Sequence, residues 1–320
     1  MLGIFSVRSL CGGIPKKSCG RAARRMARKK RQKMNAEKRI NLLKLAEITR
    51  LSTGGWAAVA RVSSVKELKD EVRSCSSYRV LGNGSNVIIA DSGVSEKIIK
   101  LDGEFKKIRI KGNKVIAGGG VLLKDVLKKC AEASLAGLEN LAGIPASVGG
   151  AVFKNASAFG CEICGLLERI KFIDGKGAGR ALDCGSMSYS YRTGPLKRGQ
   201  ILTQACFVLK KGSSEKISAR IRNNILERSR RGFMKKNATG SLFKNPHGGL
   251  AGKIIQDAGL SGLRRGSAAV SPRHANVLSL GANPNAEDAY ILMTDIRKAV
   301  LFKKNVYLEP LIEFWGTFKK

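Results

Sequence analysis

The sequence predicts an α/β protein. Short apolar runs of strand length alternate with longer segments in which apolar residues recur at helical spacing. Two turns rich in glycine and other small residues, at 82–86 and 143–151, interrupt this alternation. At 320 residues the chain is long enough for two or three subdomains with sizeable cores. No apolar run approaches the roughly 18–20 residues that a membrane-spanning helix needs.

The individual elements are predicted in chain order. Residues 78–81 and 87–90 are expected to be short buried strands on either side of the first glycine turn, and 107–117 one alternating strand. Apolar residues three and four apart predict a helix over 122–133. The same two patterns predict the later elements: strands at 169–173 and 201–209, and helices at 214–231, 250–258 and 286–302.

The composition divides the chain into an extension and two domains. Residues 1–45 include a basic run at 21–33 and are expected to be a disordered extension outside the fold. An organelle transit peptide or a misassigned start residue would explain the same composition. The remainder is expected to form a first domain over 46–213, split near residue 106, and a second over 214–320.

The chain is strongly basic, with 59 Lys and Arg against 24 Asp and Glu and a formal net charge of +35. Such a surface attracts polyanions, including nucleic acid, anionic lipid and phosphorylated small molecules. A lysine-rich solvated surface is the simpler interpretation, because two nucleotide-type ligands need only a few cations. A nucleic-acid-binding module is not expected, since only 6% of residues are aromatic and no stacking motif is evident.

The eight cysteines lack the regular spacing of a disulfide framework. Cys161 and Cys164 have the spacing of half a zinc site, but His247 and His274 are the only histidines that could complete it. We therefore expect no metal and predict reduced thiols in a cytoplasmic protein.

The two glycine turns suggest contact between main chain and ligand. Backbone amides in a turn such as 82–86 can form a concave nest for phosphate oxygens, although a simple hairpin turn has the same composition. The turn is not the dinucleotide fingerprint, because no helix follows it directly. The small residues of 143–160 would let a flat ring system and a pyrophosphate lie against the backbone.

Several motifs, in order, resemble those of the UDP-N-acetylenolpyruvoylglucosamine reductases. They are both glycine segments, the pair at 191–192, the sequence Gly-Ser-Leu-Phe-Lys-Asn-Pro at 240–246, and segments at 251–260 and 269–276. The resemblance covers about residues 49–316. It implies a two-part FAD-binding domain of the vanillyl-alcohol-oxidase type, followed by a C-terminal α/β substrate-binding domain. The short connection before 240–246 resembles the family's compact subtype, which lacks an extra tyrosine-bearing loop.

The resemblance also implies an activity. It is the FAD-dependent reduction of UDP-N-acetylglucosamine enolpyruvate to UDP-N-acetylmuramate, with NADPH as hydride donor, in peptidoglycan precursor synthesis. We expect a cytoplasmic, monomeric enzyme with a UDP-sugar substrate and no nucleic-acid partner. Two alternatives stay open: an impaired homologue that binds FAD but reacts poorly, and a different FAD oxidoreductase built on the same cradle.

The resemblance assigns roles residue by residue. Ser241 is expected to be the proton donor and Arg192 to bind the substrate carboxylate, which a guanidinium can grip bidentately. The expected substrate contacts are Tyr191, Lys244, Asn245 and His274. The expected cofactor contacts are Gly82, Asn83, Gly84, Ser85, Asn86, Gly143, Ile144, Pro145, Ser147, Val148, Gly149, Gly150, Ala151 and Asn155.

One departure from the family pattern falls at the C-terminal end. The family has a second glutamate after Leu-Glu-Pro, and this chain has Leu311 there. If 309–313 were a strand, Glu309 and Glu313 would share the face of Leu311, each about 6–7 Å away along the strand. Either carboxylate is therefore a candidate substitute in catalysis.

Overall fold

The computed structural model describes residues 40–319. Most of the predicted basic extension, including the run at 21–33, lies outside these residues. Its last part, expected to be disordered, is instead a strand over Ile40–Lys44 followed by the buried Leu45. Within the described residues, no helix is long and apolar enough to cross a membrane.

The first part of the fold is a small, mainly parallel sheet with one covering helix. Its elements are β1 (Ile40–Lys44), β2 (Trp56–Val62), α1 (Val65–Ser74), β3 (Tyr78–Val80), β4 (Val87–Ile89) and β5 (Lys97–Leu101). The sheet order is β1-β2-β5-β3, with β5 parallel to both β2 and β3. Because β3, β5 and β2 run in the same direction, their carboxyl ends meet at one edge, where the first glycine turn begins.

The second part is an antiparallel sheet of order β12-β11-β13-β7-β6. The elements of this part are β6 (Ile108–Lys111), β7 (Lys114–Gly118), α2 (Leu123–Glu132), β8 (Leu135–Ala136), α3 (Val148–Phe153), β9 (Ser157–Ala158), β10 (Cys161–Glu162), β11 (Leu167–Ile173), β12 (Gly179–Asp183), β13 (Ile201–Val208) and β14 (Lys210–Lys211). The prediction of a single strand over 107–117 is wrong. Gly112, with φ of +60°, turns the chain so that β6 and β7 form a hairpin.

Helix α4 (Ser214–Arg230) connects the two halves of the chain but contacts the first of them. The Ser214 hydroxyl donates to the carbonyl oxygen of Ala131 at 2.8 Å, and the Asn224 side chain donates to that of Glu139 at 3.0 Å. The domain boundary at residue 214 stays a prediction, and α4 itself packs on α2 and the turn at 139–141.

The last part is an antiparallel sheet of order β15-β18-β17-β16 covered by a long helix. Its elements are β15 (Ala238–Ser241), α5 (Ala251–Asp257), β16 (Arg264–Arg265), β17 (Ala268–Val270), β18 (Val277–Leu280), α6 (Ala286–Lys304) and β19 (Glu313–Trp315). Helix α6 begins after Asn285, whose side chain accepts from the Asp288 amide at 3.0 Å. Strand β19 then pairs in parallel with β4, which returns the C-terminal segment to the first glycine turn.

Candidate active site

The first glycine turn lies at the carboxyl end of β3 and is held from two sides. The Asn83 side chain donates to the carbonyl oxygen of Pro145 at 2.7 Å, and the Asn86 side chain donates to that of Leu311 at 2.9 Å. A Cβ atom added at Gly82 would lie 2.5 Å from the Ser147 hydroxyl oxygen. A side chain at position 82 would therefore displace the Ser147 hydroxyl group, and glycine lets the two segments lie side by side without that shift.

The second glycine segment forms the adjoining wall. The Ser147 hydroxyl accepts from the Gly150 amide at 3.2 Å and begins the short helix α3. Together the two segments line a cavity of about 650 Å³ and a second cavity of about 490 Å³. The two cavities share Gly82, Asn83 and Ser147 in their lining, so they form adjoining parts of one elongated space.

Most of the predicted cofactor residues line this space. Those at the larger cavity are Gly82, Asn83, Gly84, Ser85, Asn86, Ile144, Pro145, Ser147, Gly150 and Ala151, and Gly149 lines the smaller one. Gly143, Val148 and Asn155 line neither cavity. Val148 and Asn155 are fully buried, and a Cβ at Gly143 would lie 2.9 Å from the Arg228 side chain. Contact of these three with a cofactor is therefore not supported by their positions.

Asn155 instead supports the turn that carries Arg192. Its side-chain nitrogen donates to the carbonyl oxygen of Ser190 at 2.9 Å, and its oxygen accepts from the Cys164 amide at 3.2 Å. Ser190 and Thr193 exchange two backbone hydrogen bonds, which close a two-residue turn around Tyr191 and Arg192. Arg192 has φ of +60°, a conformation that side-chain-bearing residues rarely adopt and that is often found at functional sites.

Arg192 lines the larger cavity. Its Nε atom is buried and has no hydrogen-bond partner among the described residues. A buried donor without a partner is costly, and the positive charge of Arg192 makes the cavity that it lines suitable for an anionic ligand.

Ser241 enters the same cavity from the C-terminal sheet. It is the last residue of β15 and pairs with Val277 on β18. Directly after it, the Asn276 side chain accepts from the Phe243 amide and donates to the Phe243 carbonyl oxygen, both at 2.9 Å. This pair of hydrogen bonds fixes the segment that follows Ser241. The predicted proton donor and the predicted carboxylate-binding residue thus face one cavity.

The predicted substrate contacts divide into two groups. Asn245 and His274 line the larger cavity, whereas Lys244 and Tyr191 do not. Lys244 forms a 2.7 Å ion pair with Glu309, and the Tyr191 hydroxyl accepts from the Asn245 amide at 3.5 Å. Tyr191 therefore contacts a residue that lines the cavity, whereas Lys244 pairs with one that does not.

His274 is half-buried at the cavity wall beside Phe233, with ring centroids 5.1 Å apart. Burial lowers its pKa, and the positive charges of Arg231 and Arg228 lower it further, although a backbone hydrogen bond opposes them. The imidazole is therefore neutral at pH 7 and contributes a hydrogen-bonding group, with no added charge.

The sequence analysis missed a second arginine in this cavity. Arg228, in the last turn of α4, lines the cavity with its guanidinium carbon 4.7 Å from the centre of the Phe233 ring. Its Nε atom is buried without a partner. Burial lowers the pKa of Arg228 to about 10, assisted by the charges of Arg192 and Arg231. Two arginines that repel one another across a cavity indicate a site for an anion.

The spacing of Arg228 and Arg231 is the signal that could have found this cluster. Residues three apart lie on one face of a helix, and both side chains line the cavity near the end of α4. The cavity is lined by further polar residues that were not predicted: Lys154, Lys253, Gln256, Arg273 and Asn276.

The C-terminal carboxylates occupy different places from those expected. Strand β19 begins only at Glu313, so 309–313 is not one continuous strand. Glu309 pairs with Lys244, is 59% exposed and does not line the cavity. Leu311 does line it, and the family's carboxylate position is therefore apolar here. The proposed substitution by Glu309 is not supported by this geometry.

Glu313 lines both cavities at their junction. Its carboxylate is paired with the Lys154 ammonium group and lies 3.8 Å from the Arg198 guanidinium, and it accepts from the Trp315 indole at 3.1 Å. Burial alone would raise the pKa of Glu313, but the hydrogen bond and charge of Lys154 outweigh it and hold the pKa below its usual value. Glu313 is therefore ionised at pH 7 and has no proton to donate.

The elongated space fits a flavin dinucleotide. Glycines 82, 149 and 150 expose backbone along its wall, and the two adjoining cavities offer one volume for a ring system and one for a nucleotide. Cationic side chains line both cavities, as a diphosphate requires. The residues that would hold the cofactor are the amides of the first turn and the backbone of the second segment.

This combination defines an FAD-binding protein of two-domain α/β architecture. A family model described as FAD binding domain matches residues 56–183. A second family model, UDP-N-acetylenolpyruvoylglucosamine reductase, C-terminal domain, matches residues 233–315. The chain belongs to the UDP-N-acetylenolpyruvoylglucosamine reductase family.

Relatives from several bacteria support this membership. The chain is 36% identical over 291 residues to the UDP-N-acetylenolpyruvoylglucosamine reductase of Clostridium beijerinckii, covering 89% of this chain and 95% of that protein. It is 36% identical over 260 residues to the enzyme of the same name from Thermus thermophilus, covering 81% and 95%. The crystal structure of the reductase from Thermus caldophilus matches with a TM-score of 0.77 at 36% identity, covering 87% of this chain and 99% of that one.

Proposed function

We propose that this chain reduces UDP-N-acetylglucosamine enolpyruvate to UDP-N-acetylmuramate, with FAD as cofactor and NADPH as reductant, in peptidoglycan precursor synthesis. The observation that carries the proposal is the convergence of Ser241, Arg192 and the glycine turn at 82–86 on one cavity. This is the arrangement that a reaction between a flavin and an enolpyruvyl ether needs: a flat ring on one side, a proton donor on the other, and cations for the carboxylate.

Bound FAD supplies the hydride that adds to the enolpyruvyl double bond. Arg192 and Arg228 would hold the substrate carboxylate and stabilise the negative charge that spreads onto it as an enolate forms. Both residues line the larger cavity, so their positive charges are in place before the anion arrives.

Ser241 would donate the proton to the carbon next to the one that receives hydride. A serine hydroxyl is a weak acid. The step therefore depends on stabilisation of the enolate by the two arginines and on close positioning of the hydroxyl group. Glu313 is ionised and Glu309 faces away, which leaves Ser241 as the proton donor that the geometry supports best.

The remaining roles follow from the positions of the side chains. Asn245 and His274 would contact the UDP-sugar at the C-terminal side of the cavity, with Lys244 and Tyr191 reaching it after a change of rotamer. We further propose a cytoplasmic monomer without a nucleic-acid partner. Size-exclusion chromatography with light scattering tests whether the protein is a monomer. Titration with RNA at two salt concentrations tests whether it binds nucleic acid.

An anaerobic absorbance experiment tests the function directly. Purified full-length protein should be yellow, lose its flavin absorbance when NADPH is added, and regain it when the enolpyruvyl substrate follows. Ser241→Ala should still be bleached by NADPH but regain colour at least about a hundredfold more slowly, the scale of losing an acid catalyst. Protein that is yellow yet unreactive toward NADPH and substrate together would contradict the proposal.

A further inference from the structure

Lys100 lies at the carboxyl edge of the parallel sheet formed by β2, β5 and β3. Ligands of open α/β sheets bind in the crevice at this edge. The Lys100 ammonium group donates a hydrogen bond of 2.8 Å to the carbonyl oxygen of Gly82, the first residue of the glycine turn. It also lines the smaller cavity. An ammonium group has three donors, so two of them stay available to a ligand.

Lys100 differs from the other cations of the smaller cavity. Among the described residues, each of the other three has a carboxylate within 4 Å, and Lys100 has none. The three pairs are Arg79–Glu96 at 2.6 Å, Lys106–Asp102 at 2.7 Å and Arg198–Glu313 at 3.8 Å. The half-buried Lys100 therefore carries the uncompensated positive charge of this cavity, directly beside the turn that adjoins the larger one.

We propose that Lys100 binds the phosphate chain on the adenylate side of the cofactor and makes the protein select FAD over FMN. This inference rests on the proposed function. A flavin mononucleotide would lie in the larger cavity only, beside the substrate, whereas the adenylate half of a dinucleotide needs the smaller cavity. Lys100 also fixes the Gly82 carbonyl group through its hydrogen bond. The ammonium group of Lys100 therefore both supplies the positive charge and holds the glycine turn in its orientation.

The same residue should make cofactor binding depend on pH. Burial, together with the positive charges of Arg61 and Lys106, lowers the pKa of Lys100 to about 8, against the opposing effect of Asp102. A bound phosphate favours the charged form, so affinity should be highest below pH 8 and fall above it as free Lys100 loses its proton. The charged and titratable groups that face it are Arg61, Tyr78, Arg79, Glu96, Asp102, Lys106, Arg198 and Glu313.

These neighbours do not reproduce that pH dependence. Arginines and carboxylates keep their charges between pH 7 and 9. Burial, with the charges of Cys75 and Asp174, raises the pKa of Tyr78 above its usual value. Lys106 is the one other lysine of the cavity and is held by Asp102, which makes Lys106→Gln the matched control.

The test measures binding by the full-length chain freed of flavin. FAD and FMN are titrated by flavin fluorescence and ADP by calorimetry, at pH 7 and pH 9. Lys100→Met should lower the affinity for FAD and for ADP at least tenfold at pH 7 and change the affinity for FMN less than threefold. Wild-type affinity for FAD should fall up to about tenfold by pH 9, following the protonated fraction of Lys100. Lys100→Arg should hold FAD equally at both pH values, and Lys106→Gln should keep the wild-type pH dependence.

Two results would overturn the inference. One is a Lys100→Met protein that binds FAD and ADP as tightly as wild type does, or whose affinity for FMN falls as much as its affinity for FAD. The other is Lys100→Arg protein with the wild-type fall in affinity, which decides the matter even if Lys100→Met does not fold. A wild-type protein that binds ADP but no flavin would contradict the proposed function while leaving the role of Lys100 testable with ADP.

Discussion

The side-chain amide of Asn86 donates a 2.9 Å hydrogen bond to the carbonyl oxygen of Leu311, 225 residues further along the chain. It joins the last residue of the glycine turn to the segment that precedes β19. Two residues after Leu311, the Glu313 amide donates to the carbonyl oxygen of Asn86 at 3.1 Å. Asn86 thus contributes two hydrogen bonds that join the cofactor cradle to the C-terminal segment, beside the β4–β19 pairing.

Asn86→Ala should therefore destabilise the protein. The substitution leaves the Leu311 carbonyl oxygen without its partner, at a cost of about 1 kcal/mol. A loss of that size lowers Tm by about 2–4 °C in a domain of this scale, measured by thermal unfolding. Asn113→Ala is the control, because Asn113 is exposed in the β6–β7 turn, and it should leave Tm unchanged. Equal Tm values for both variants would contradict the role of this hydrogen bond.

Long periodic elements were predictable, and contacts between distant segments were not. The helix expected over 286–302 is α6, Ala286–Lys304, because its apolar spacing persists for several turns. The β6–β7 hairpin was missed although polar residues interrupt the alternation at 111–114. The Gly112-Asn113 pair there is the turn signal that could have found it. The pairing of β19 with β4 joins two three-residue strands far apart in sequence, which no local pattern encodes.

The candidate site also contains residues that the sequence could indicate and residues that it could not. Ser241 and Arg192 were found because their flanking motifs are specific, and both line the larger cavity. Arg228 was missed because one more arginine in a basic helix resembles solvated surface. The places of Glu309 and Glu313 depend on where β19 begins and on the partners Lys244 and Lys154, both of which are tertiary contacts.

Leu311→Glu should raise turnover. The position lines the larger cavity together with Arg192 and Arg228, so a carboxyl group there would meet compensating charge and could assist at the enolate. Steady-state kinetics should show a kcat several-fold above wild type. Leu311→Gln has the same size without the acid function and should show no gain. Equal kcat values for the two variants would mean that a carboxyl group at this position gives no advantage.

Glu313→Gln should reveal the Glu313–Lys154 pair through the pH dependence of stability. The pKa of Glu313 is lowered in the folded protein, so its contribution is present above the unfolded pKa of about 4.3 and is lost as pH falls through the folded value. The variant should lose about 1–2 kcal/mol of unfolding free energy at pH 7, and the difference should shrink toward zero in acid. Urea unfolding at several pH values measures this.

Glu309→Gln provides the matched comparison for that experiment. Its carboxylate also pairs with a lysine, Lys244, but is 59% exposed, so the change at pH 7 should stay below about 0.5 kcal/mol. If both variants lost the same free energy, the junction of the two cavities would hold no stronger ion pair than the surface does.

Arg228→Met should separate stability from substrate binding. Arg192 and Arg228 repel each other in the ligand-free cavity, and methionine keeps the apolar contact with Phe233 while removing one charge and one unpartnered Nε atom. Tm of the variant should therefore rise by about 1–3 °C, while KM for the enolpyruvyl substrate rises at least tenfold. Arg222→Met, an exposed arginine of the same helix, should change neither quantity. A lower Tm with unchanged KM would show that Arg228 supports the fold and does not serve the anion.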